Sequence, residues 1–368
     1  SGVGHYFSSS RRLRRAESAT LMATPGSAAV REAAARTDAS MVARRSGRLC
    51  KDSAASFQAC STALARAASA AAASPSATAA ASAAAAASAA AGFGAIHHGN
   101  DIAGSLRYPA TACGLSTIKP GLGRVPDYLP SAKAERGMLA QLMSVQGVVC
   151  REVKDVRLAT QVLMRHDPRD PWHVPMPFSQ QDTALPKIAY CKEAHGYPIH
   201  KDIVENLDRA ASILEAAGYQ VEEIETPSIA EAAKAWLQVT NFEMKRTLEP
   251  VFKEHGSAII NQIFEGYYQL EDMVDAEGYL LGIAERTRMV REWNLLLADY
   301  PLVLTPYLMR PGYPSDYDET FEGVEDLFRT SIYSYGVNYI GMPAGHVPVD
   351  LVEGLPSGVQ LIGQKWRE

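Results

Sequence analysis

Residues 99–110 read Gly-Asn-Asp-Ile-Ala-Gly-Ser-Leu-Arg-Tyr-Pro-Ala, and this run contains the strongest signal in the sequence. Asp101 precedes an Ala-Gly-Ser run and can fix a turn through its side-chain oxygens. In such a turn several consecutive backbone N–H groups converge and form a nest for an anion, which in a hydrolase holds the oxyanion of a tetrahedral intermediate. Ser105 lies where these groups converge. Gly-Ser turns are common and usually structural, so the run alone does not specify a reaction.

Two further elements follow at close spacing, Cys113-Gly114 and the segment 119–126, Lys-Pro-Gly-Leu-Gly-Arg-Val-Pro. Together these segments resemble the amidase signature family, whose pattern is Gly-x-Asp-x-Gly-Gly-Ser-x-Arg-x-Pro, then Cys-Gly, then Lys-Pro-Thr-x-Gly-Arg-Val. Ala103 replaces one glycine of that pattern and Gly121 replaces its threonine. Two later segments are similar to the family's closing strands, namely 341–344 (Gly-Met-Pro-Ala) and 354–363 (Gly-Leu-Pro-Ser-Gly-Val-Gln-Leu-Ile-Gly).

The resemblance implies a hydrolase that cleaves the C–N bond of a carboxylic amide through a Ser-Ser-Lys acyl-enzyme mechanism, with no metal and no organic cofactor. Ser105 would be the nucleophile. The oxyanion hole would consist of the backbone N–H groups of Ile102, Ala103, Gly104 and Ser105. A second serine, on a cis peptide, would relay protons to a lysine that burial keeps neutral.

Other residues of the signature are expected to support this site rather than to react. Asp101 and Arg107 would hold the turn. Cys113 is expected to be a small core residue, and Lys119 follows the family's structural Lys-Pro and is not nominated as the base. His97-His98 is interpreted as part of a loop, because adjacent residues rarely share one metal ion.

The resemblance also implies an α/β fold, with a mixed β-sheet covered on both faces by helices in a single domain, residues 1–368. Residues 92–130 would carry the signature segment and the nucleophile. Residues 228–299 would form the helical substrate-pocket region, and residues 336–363 would form the closing strands. Family members usually have helices beyond both ends of this segment, so a fragment is one interpretation of the chain.

Residues 1–91 differ in composition from the rest of the chain. They carry eleven basic and four acidic residues, and only Ala, Ser, Pro and Thr occur from residue 67 to residue 91. Counting back from Ser105 by the family's spacing puts the cis serine at Ala81, beside Ser82, with the loop over 79–84 written in alanine instead of glycine. The base lysine would fall at Ser8, and no lysine occurs before Lys51.

Two explanations account for the absence of the expected glycines, cis serine and base lysine from residues 1–91. Either the protein is a disabled relative that binds amides without hydrolysing them, or the side-chain identities of residues 1–91 are unreliable. We favour the second explanation, because the oxyanion segment is intact and decay would affect the whole chain. A transit peptide or low-complexity disorder would also explain a basic, Ala/Ser-rich start.

Periodicity and turn residues predict the elements after residue 92. We expect short strands and turns over 92–130, helix over 139–165, a loop from 167 and strands at 187–191, 219–224 and 302–306. A helix over 202–217 would join two of these strands in a right-handed crossover. Aromatic residues and a methionine in 228–299 could line an acyl pocket, although helical spacing more often indicates core: Trp236, Phe242, Met244, Phe252, Phe264, Tyr267 and Tyr268.

Net charge and cysteine content limit the classes of partner and the cellular compartment that we expect. A net charge of −5 gives no reason to expect nucleic acid or a membrane surface, and the expected partner is a small-molecule amide. Five cysteines without paired spacing argue against a disulfide framework or a zinc site and favour the cytoplasm. A homodimer is left open. The alternative to an amidase is the glutaminase subunit of a tRNA-dependent amidotransferase.

Overall fold

The computed structural model describes residues 75–128, 134–178 and 185–368. The helices in these ranges are α1 (Pro75–Ala90), α2 (Arg107–Cys113), α3 (Met138–Met143), α4 (Val153–Leu163), α5 (Lys201–Ala216), α6 (Ile229–Thr247), α7 (Glu249–His255), α8 (Ala258–Gln269), α9 (Ala276–Asp299), α10 (Phe321–Arg329) and α11 (Ile332–Ile340). The strands are β1 (Ile96–Asp101), β2 (Ser116–Lys119), β3 (Val145–Cys150), β4 (Ile188–Tyr190), β5 (Val221–Glu223), β6 (Leu302–Pro306), β7 (Ala344–Val352) and β8 (Leu355–Gly363).

The described strands form one mixed sheet in the order β1-β3-β2-β7-β8-β6-β4-β5. Neighbours from β1 to β6 are antiparallel, whereas β4 is parallel to both β5 and β6. Both faces of the sheet are covered. Ile188 packs in a cluster with Leu207 of α5, while the next residue, Ala189, packs in the large cluster with α6, α9 and α11. The predicted α/β class is therefore confirmed.

Pairing of β2 with β7 brings the signature segment 92–130 together with the later segment 341–344. Lys119 at the end of β2 lies opposite Ala344 at the start of β7, although more than 200 residues separate them in the chain. The Lys119 side chain is fully buried and donates from Nζ to the carbonyl oxygens of Met342 (2.8 Å) and Pro120 (3.3 Å). Burial lowers the pKa of Lys119 to about 7. Through these bonds Lys119 links the signature segment to the chain at residues 341–344.

Most of the predicted helices and strands are present in the structure with similar bounds. Strands β4, β5 and β6 overlap the predictions, and β6 matches 302–306 at both ends. Helix α5 occupies 201–216 between the parallel strands β4 and β5. In the predicted helical region 228–299, four helices follow one another, with a break before Pro250 and another at Gly256. No described residue of the loop that begins at 167 is helix or strand before β4.

Three predictions of secondary structure were wrong. His97 and His98, which were expected in a loop, lie in β1 and pair with Val149 and Val148 of β3. Residues 139–165 do not form a continuous helix, because β3 lies between α3 and α4. The run Val145-Gln146-Gly147-Val148-Val149-Cys150 is short, apolar and valine-rich, and such a run fits a strand that is buried in the middle of a sheet. At the other end, residues 336–340 are the last turns of α11 rather than a strand, and that helix ends at Gly341 with φ +70°.

Residues 79–84 are also not the loop that the family pattern implied. They lie inside α1, which runs from Pro75 to Ala90. The substitution of alanine for glycine explains the difference, since alanine is the best helix former and glycine among the worst. No described helix is both long and apolar enough to cross a membrane.

Candidate active site

The segment 101–107 is a turn built around the carboxylate of Asp101, at the end of β1. One oxygen of this carboxylate accepts the Gly104 N–H at 2.8 Å, and the other accepts the Leu106 N–H at 3.3 Å. The same two oxygens accept Nη2 and Nε of Arg107, each at 3.0 Å. A single buried side chain therefore connects both ends of the turn.

Asp101 and Arg107 form an ion pair with no solvent exposure on either side chain. Burial by itself opposes ionisation of Asp101, but the charge and hydrogen bonds of Arg107 outweigh it and hold the pKa of that carboxyl below its usual value. Distant residues complete the network. Nη1 of Arg107 donates to Gln360 of β8 at 2.8 Å, and Nδ2 of Asn338 in α11 donates to the Asp101 carboxylate at 2.9 Å.

Three consecutive carbonyl oxygens of the turn are held by side chains from other elements. The indole N–H of Trp236 donates to the oxygen of Ile102 at 3.1 Å, and the Ser334 hydroxyl donates to that of Ala103 at 2.8 Å. The Tyr307 hydroxyl donates to the oxygen of Gly104 at 3.4 Å. Each carbonyl and the next N–H lie in one planar trans peptide and point in opposite directions. Holding these oxygens therefore directs the N–H groups of residues 103, 104 and 105.

The expectation for the oxyanion hole changes at one position. The Gly104 N–H is already bonded to Asp101 and is not a free donor. In the described part of the chain, the N–H groups of Ile102, Ala103 and Ser105 donate to no protein acceptor. All three residues are only half-buried. Three of the four N–H groups expected in the oxyanion hole are thus without an acceptor among the described residues.

Gly104 is required at its position by both its backbone and its surroundings. Its φ of +119° is a conformation that side chains with a Cβ rarely adopt. A Cβ there would overlap the Ser334 hydroxyl and lie 2.5 Å from the Tyr307 hydroxyl. The Ala103 replacement is tolerated next to it, since residue 103 has no positive φ.

Ser105 lies within this turn and is half-buried. Among the described residues, no general base lies within hydrogen-bond distance of its hydroxyl. Ser8, the position expected for the base, lies outside the described residues. Ala81 is exposed on α1, and Ser82 is fully buried beneath it. The Ser82 hydroxyl accepts the Asn100 N–H at 3.1 Å, so this side chain ties α1 to β1. It is part of a helix and not of a cis-peptide loop.

Aromatic side chains surround the turn on the side of Trp236 and Tyr307. Trp236 packs on Tyr335 with ring centroids 4.5 Å apart, and Tyr108 packs edge-on against Tyr307 at 5.3 Å. Tyr335 also packs on Phe328 at 5.2 Å. We call these five residues, together with Tyr267 and Tyr313, the aromatic cluster. The Tyr267 hydroxyl lies 3.2 Å from that of Tyr335, and Tyr313 lies 6.2 Å from Tyr108.

Five of the seven candidate pocket residues of 228–299 divide into two groups. Trp236 and Tyr267 belong to the aromatic cluster. Phe252 and Phe264 stack on each other at 4.3 Å, and Phe242 stacks on Tyr279, so these rings serve the packing of the helices. Cys113 is buried in a small cluster with α1, as a core residue would be.

Sequence reasoning missed Asn338 and Ser334, which hold Asp101 and the Ala103 carbonyl. Both come from α11, directly before the segment 341–344. Their position next to that segment was the only feature of the sequence that could have indicated a role in the site. Gln360 lies within the segment 354–363, where it is the glutamine of the Gly-Val-Gln run.

Comparison with known proteins agrees with this geometry. A family model described as Amidase matches residues 46–368. The chain belongs to the amidase signature family. It is 40% identical over 281 residues to an indoleacetamide hydrolase of Bradyrhizobium diazoefficiens, a match that covers 75% of this chain and 53% of that protein. It is 26% identical over 306 residues to a glutamyl-tRNA(Gln) amidotransferase subunit of Clostridium kluyveri, covering 75% and 60%.

Solved structures of the family share the fold. A bacterial aryl acylamidase superposes with a TM-score of 0.63 at 23% identity, over 77% of this chain and 61% of that one. A 6-aminohexanoate cyclic dimer hydrolase gives a TM-score of 0.63 at 19% identity, over 77% and 64%. The chain spans between about half and two thirds of the length of these relatives.

Proposed function

We propose that the protein is an amidase in which Ser105 is the nucleophile. The observation that carries the proposal is the turn 101–107, in which the N–H groups of Ile102, Ala103 and Ser105 donate to no acceptor among the described residues, while side chains from other elements hold the carbonyl oxygens of residues 102–104. Preorganised donors of this kind stabilise a developing oxyanion, and the loss of one typically costs about 10²–10³ in kcat.

The reaction would proceed through an acyl-enzyme. The Ser105 hydroxyl gives its proton to the base as its oxygen attacks the amide carbonyl carbon, and the base later returns that proton to the leaving nitrogen. The carbonyl oxygen becomes an oxyanion that accepts hydrogen bonds from the N–H groups of Ile102, Ala103 and Ser105. Collapse of this intermediate breaks the C–N bond, and the leaving nitrogen takes up a proton and departs as ammonia or an amine. Water then attacks the ester, which releases the acid and restores the Ser105 hydroxyl.

The base and the proton relay are proposed to come from residues 1–91, at Ser8 and at Ala81 or Ser82. Neither an alanine nor a serine can act as the base, so catalysis requires a lysine at position 8. Peptide mass mapping of residues 1–91 tests this requirement. If Ser8 and Ala81 are confirmed as written, the disabled amide-binding relative becomes the better explanation, and the nucleophile proposal is then tested by chemical labelling alone.

For the substrate we propose a small amide with an aromatic acyl group. Similarity to an indoleacetamide hydrolase at 40% identity supports this class over glutamine, since the similarity to an amidotransferase subunit is only 26%. Trp236 also contacts the turn directly, through a hydrogen bond to the Ile102 carbonyl.

Ammonia release by the purified chain tests this function. Indoleacetamide and glutamine would be compared as substrates for the wild type, for Ser105→Ala and for Ser212→Ala, a matched control at an exposed serine of α5. The proposal predicts turnover of indoleacetamide in the wild type and in the control, and none in Ser105→Ala. Release of ammonia from glutamine alone would indicate the glutaminase alternative, and activity in Ser105→Ala would refute the nucleophile.

The remaining expectations about cellular context are kept as proposals. We propose that the protein acts in the cytoplasm on its small-molecule amide and does not bind nucleic acid. The hypothesis of a homodimer is tested by light scattering of the purified chain.

A further inference from the structure

Three potential metal ligands converge at the carboxyl end of β4, outside the site described above. Cys191 directly follows the strand, and Glu193 and His195 follow at alternate positions. One ligand atom from each of the three lies within 4.8 Å of the others. The thiol is buried, whereas the His195 side chain is 11% and the Glu193 side chain 37% exposed, so an ion can enter from solvent.

The backbone at His195 is in the left-handed region, within a tight turn. Ala194 to Tyr197 form a tight turn closed by a 2.8 Å bond from the Tyr197 N–H to the Ala194 carbonyl. His195 has φ +49° and Gly196 has φ +80°. A positive φ at a residue other than glycine costs of order 1 kcal/mol or more and persists where the surroundings impose it, often at functional sites.

The His195 ring has hydrogen-bond partners at both of its nitrogens. One nitrogen lies 3.2 Å from a carboxylate oxygen of Glu193, and the other lies 3.1 Å from the Tyr333 hydroxyl and 3.5 Å from the Thr226 hydroxyl. The Tyr333 hydroxyl also lies 2.8 Å from the Glu193 carbonyl oxygen. These contacts hold the imidazole beside Glu193 and Cys191, so the three potential ligands are kept together.

The ligand set selects the kind of ion. A thiolate, an imidazole and a carboxylate are the ligands of Zn²⁺, whereas Mg²⁺ and Ca²⁺ prefer oxygen alone. In a tetrahedral site with bonds of about 2.0–2.3 Å, ligand atoms lie roughly 3.3–3.8 Å apart, so inward movements of about 1 Å would close the present arrangement. The Tyr333 hydroxyl, 3.4 Å from the Cys191 sulfur, is placed to orient these ligands from outside.

We propose that Cys191, Glu193 and His195 bind one Zn²⁺ ion, with water at the fourth position. Binding releases the thiol proton to solvent, because the thiolate is the ligand. This inference departs from the expectation that the scattered cysteines exclude a zinc site. It is independent of the proposed amidase activity, since Tyr333 points away from the turn while its neighbour Ser334 holds it.

Titration of the metal-free chain with Co²⁺ tests the site, because a cobalt–thiolate bond has a charge-transfer absorption in the near ultraviolet. We expect one equivalent to produce this band and Zn²⁺ to abolish it. Cys191→Ser should remove the band, while Cys150→Ser, at a buried thiol of β3, should retain it. His195→Gln and Glu193→Gln should each weaken Zn²⁺ binding at least 10-fold, and His255→Gln, on exposed α7, should not.

Several outcomes would overturn the proposal. These are a cobalt complex without the thiolate band, a band that persists in Cys191→Ser, or Zn²⁺ affinity within twofold of wild type in both His195→Gln and Glu193→Gln. The last two variants change partly exposed side chains and keep the test valid if Cys191→Ser does not fold.

Discussion

Replacement of Asp101 by asparagine tests the structural basis of the turn. The substitution keeps the size of the side chain but removes the charge that balances Arg107, whose guanidinium is fully buried. Breaking a buried pair by removing one partner typically costs about 3–5 kcal/mol, because the remaining charge stays buried without compensation. At the ~2–4 °C per kcal/mol typical of domains of 150–250 residues, and less for a longer chain, we expect Tm to fall by roughly 5–10 °C.

Thermal melts of matched variants provide the assay. The control is Asp350→Asn, which breaks the surface pair with Arg209, whose side chains are 36% and 55% exposed. Exposed pairs contribute at most ~1 kcal/mol, so this control should melt within about 2 °C of wild type. The double variant Asp101→Asn/Arg107→Met removes both charges and should recover part of the loss, as coupled residues do.

The pH dependence follows from the lowered pKa of Asp101. The ionised carboxyl contributes stability above its unfolded-state pKa of about 4, and this contribution is lost as the pH falls through the lower pKa of the folded state. The difference in Tm between wild type and Asp101→Asn should therefore become smaller at acidic pH. A loss of less than 1 kcal/mol for Asp101→Asn, or strictly additive effects in the double variant, would refute the assigned role of this pair.

Three further predictions concern the turn and the core behind it. Gly104→Ala should destabilise the protein by about 2–5 kcal/mol in thermal melts, from backbone strain and overlap with Ser334 and Tyr307. Trp236→Phe should lower kcat about 10-fold with little change in KM, because the Ile102 carbonyl loses its donor. Burial lowers the pKa of His346 to about 4, so stability should fall by about 3 kcal/mol as the pH drops from about 6.5 to 4, and His346→Gln should remove this dependence in pH-resolved melts.

Each of these predictions has a matched comparison. Gly354 has φ +80° and open space around its missing side chain, so Gly354→Ala should cost only the backbone strain. Equal losses for it and Gly104→Ala would contradict the argument from crowding. An unchanged kcat in Trp236→Phe would show that the indole does not set the direction of the turn. For His346, the control is the exposed His255→Gln, which should keep the pH dependence.

The sequence predicted the elements in which local pattern and tertiary setting agree. Strand β6, Leu-Val-Leu-Thr-Pro, is a continuous apolar run bounded by turn residues, and it was predicted at both ends. Strand β3 was missed because its valines also satisfy helical spacing between two real helices, and only pairing with β1 and β2 decides between the two periods.

For the site, the sequence predicted the segment that is contiguous and missed the contacts that are not. Asp101, Arg107 and Ser105 could be placed from their spacing in one motif. Asn338 contacts Asp101 although 237 positions separate them in the sequence, and no local sequence pattern predicts such a contact. The loss of the Gly104 donor could not be predicted either, because it depends on which way Asp101 turns.

We propose that Ser105 is a nucleophile beside an oxyanion hole formed by the turn 101–107. Treatment of the folded chain with a serine-directed fluorophosphonate, followed by peptide mass mapping, tests it most directly. We expect one adduct, located on Ser105, present in Ser212→Ala and absent in Ser105→Ala. An unlabelled but folded wild-type chain, or an adduct on any other serine that survives Ser105→Ala, would contradict it.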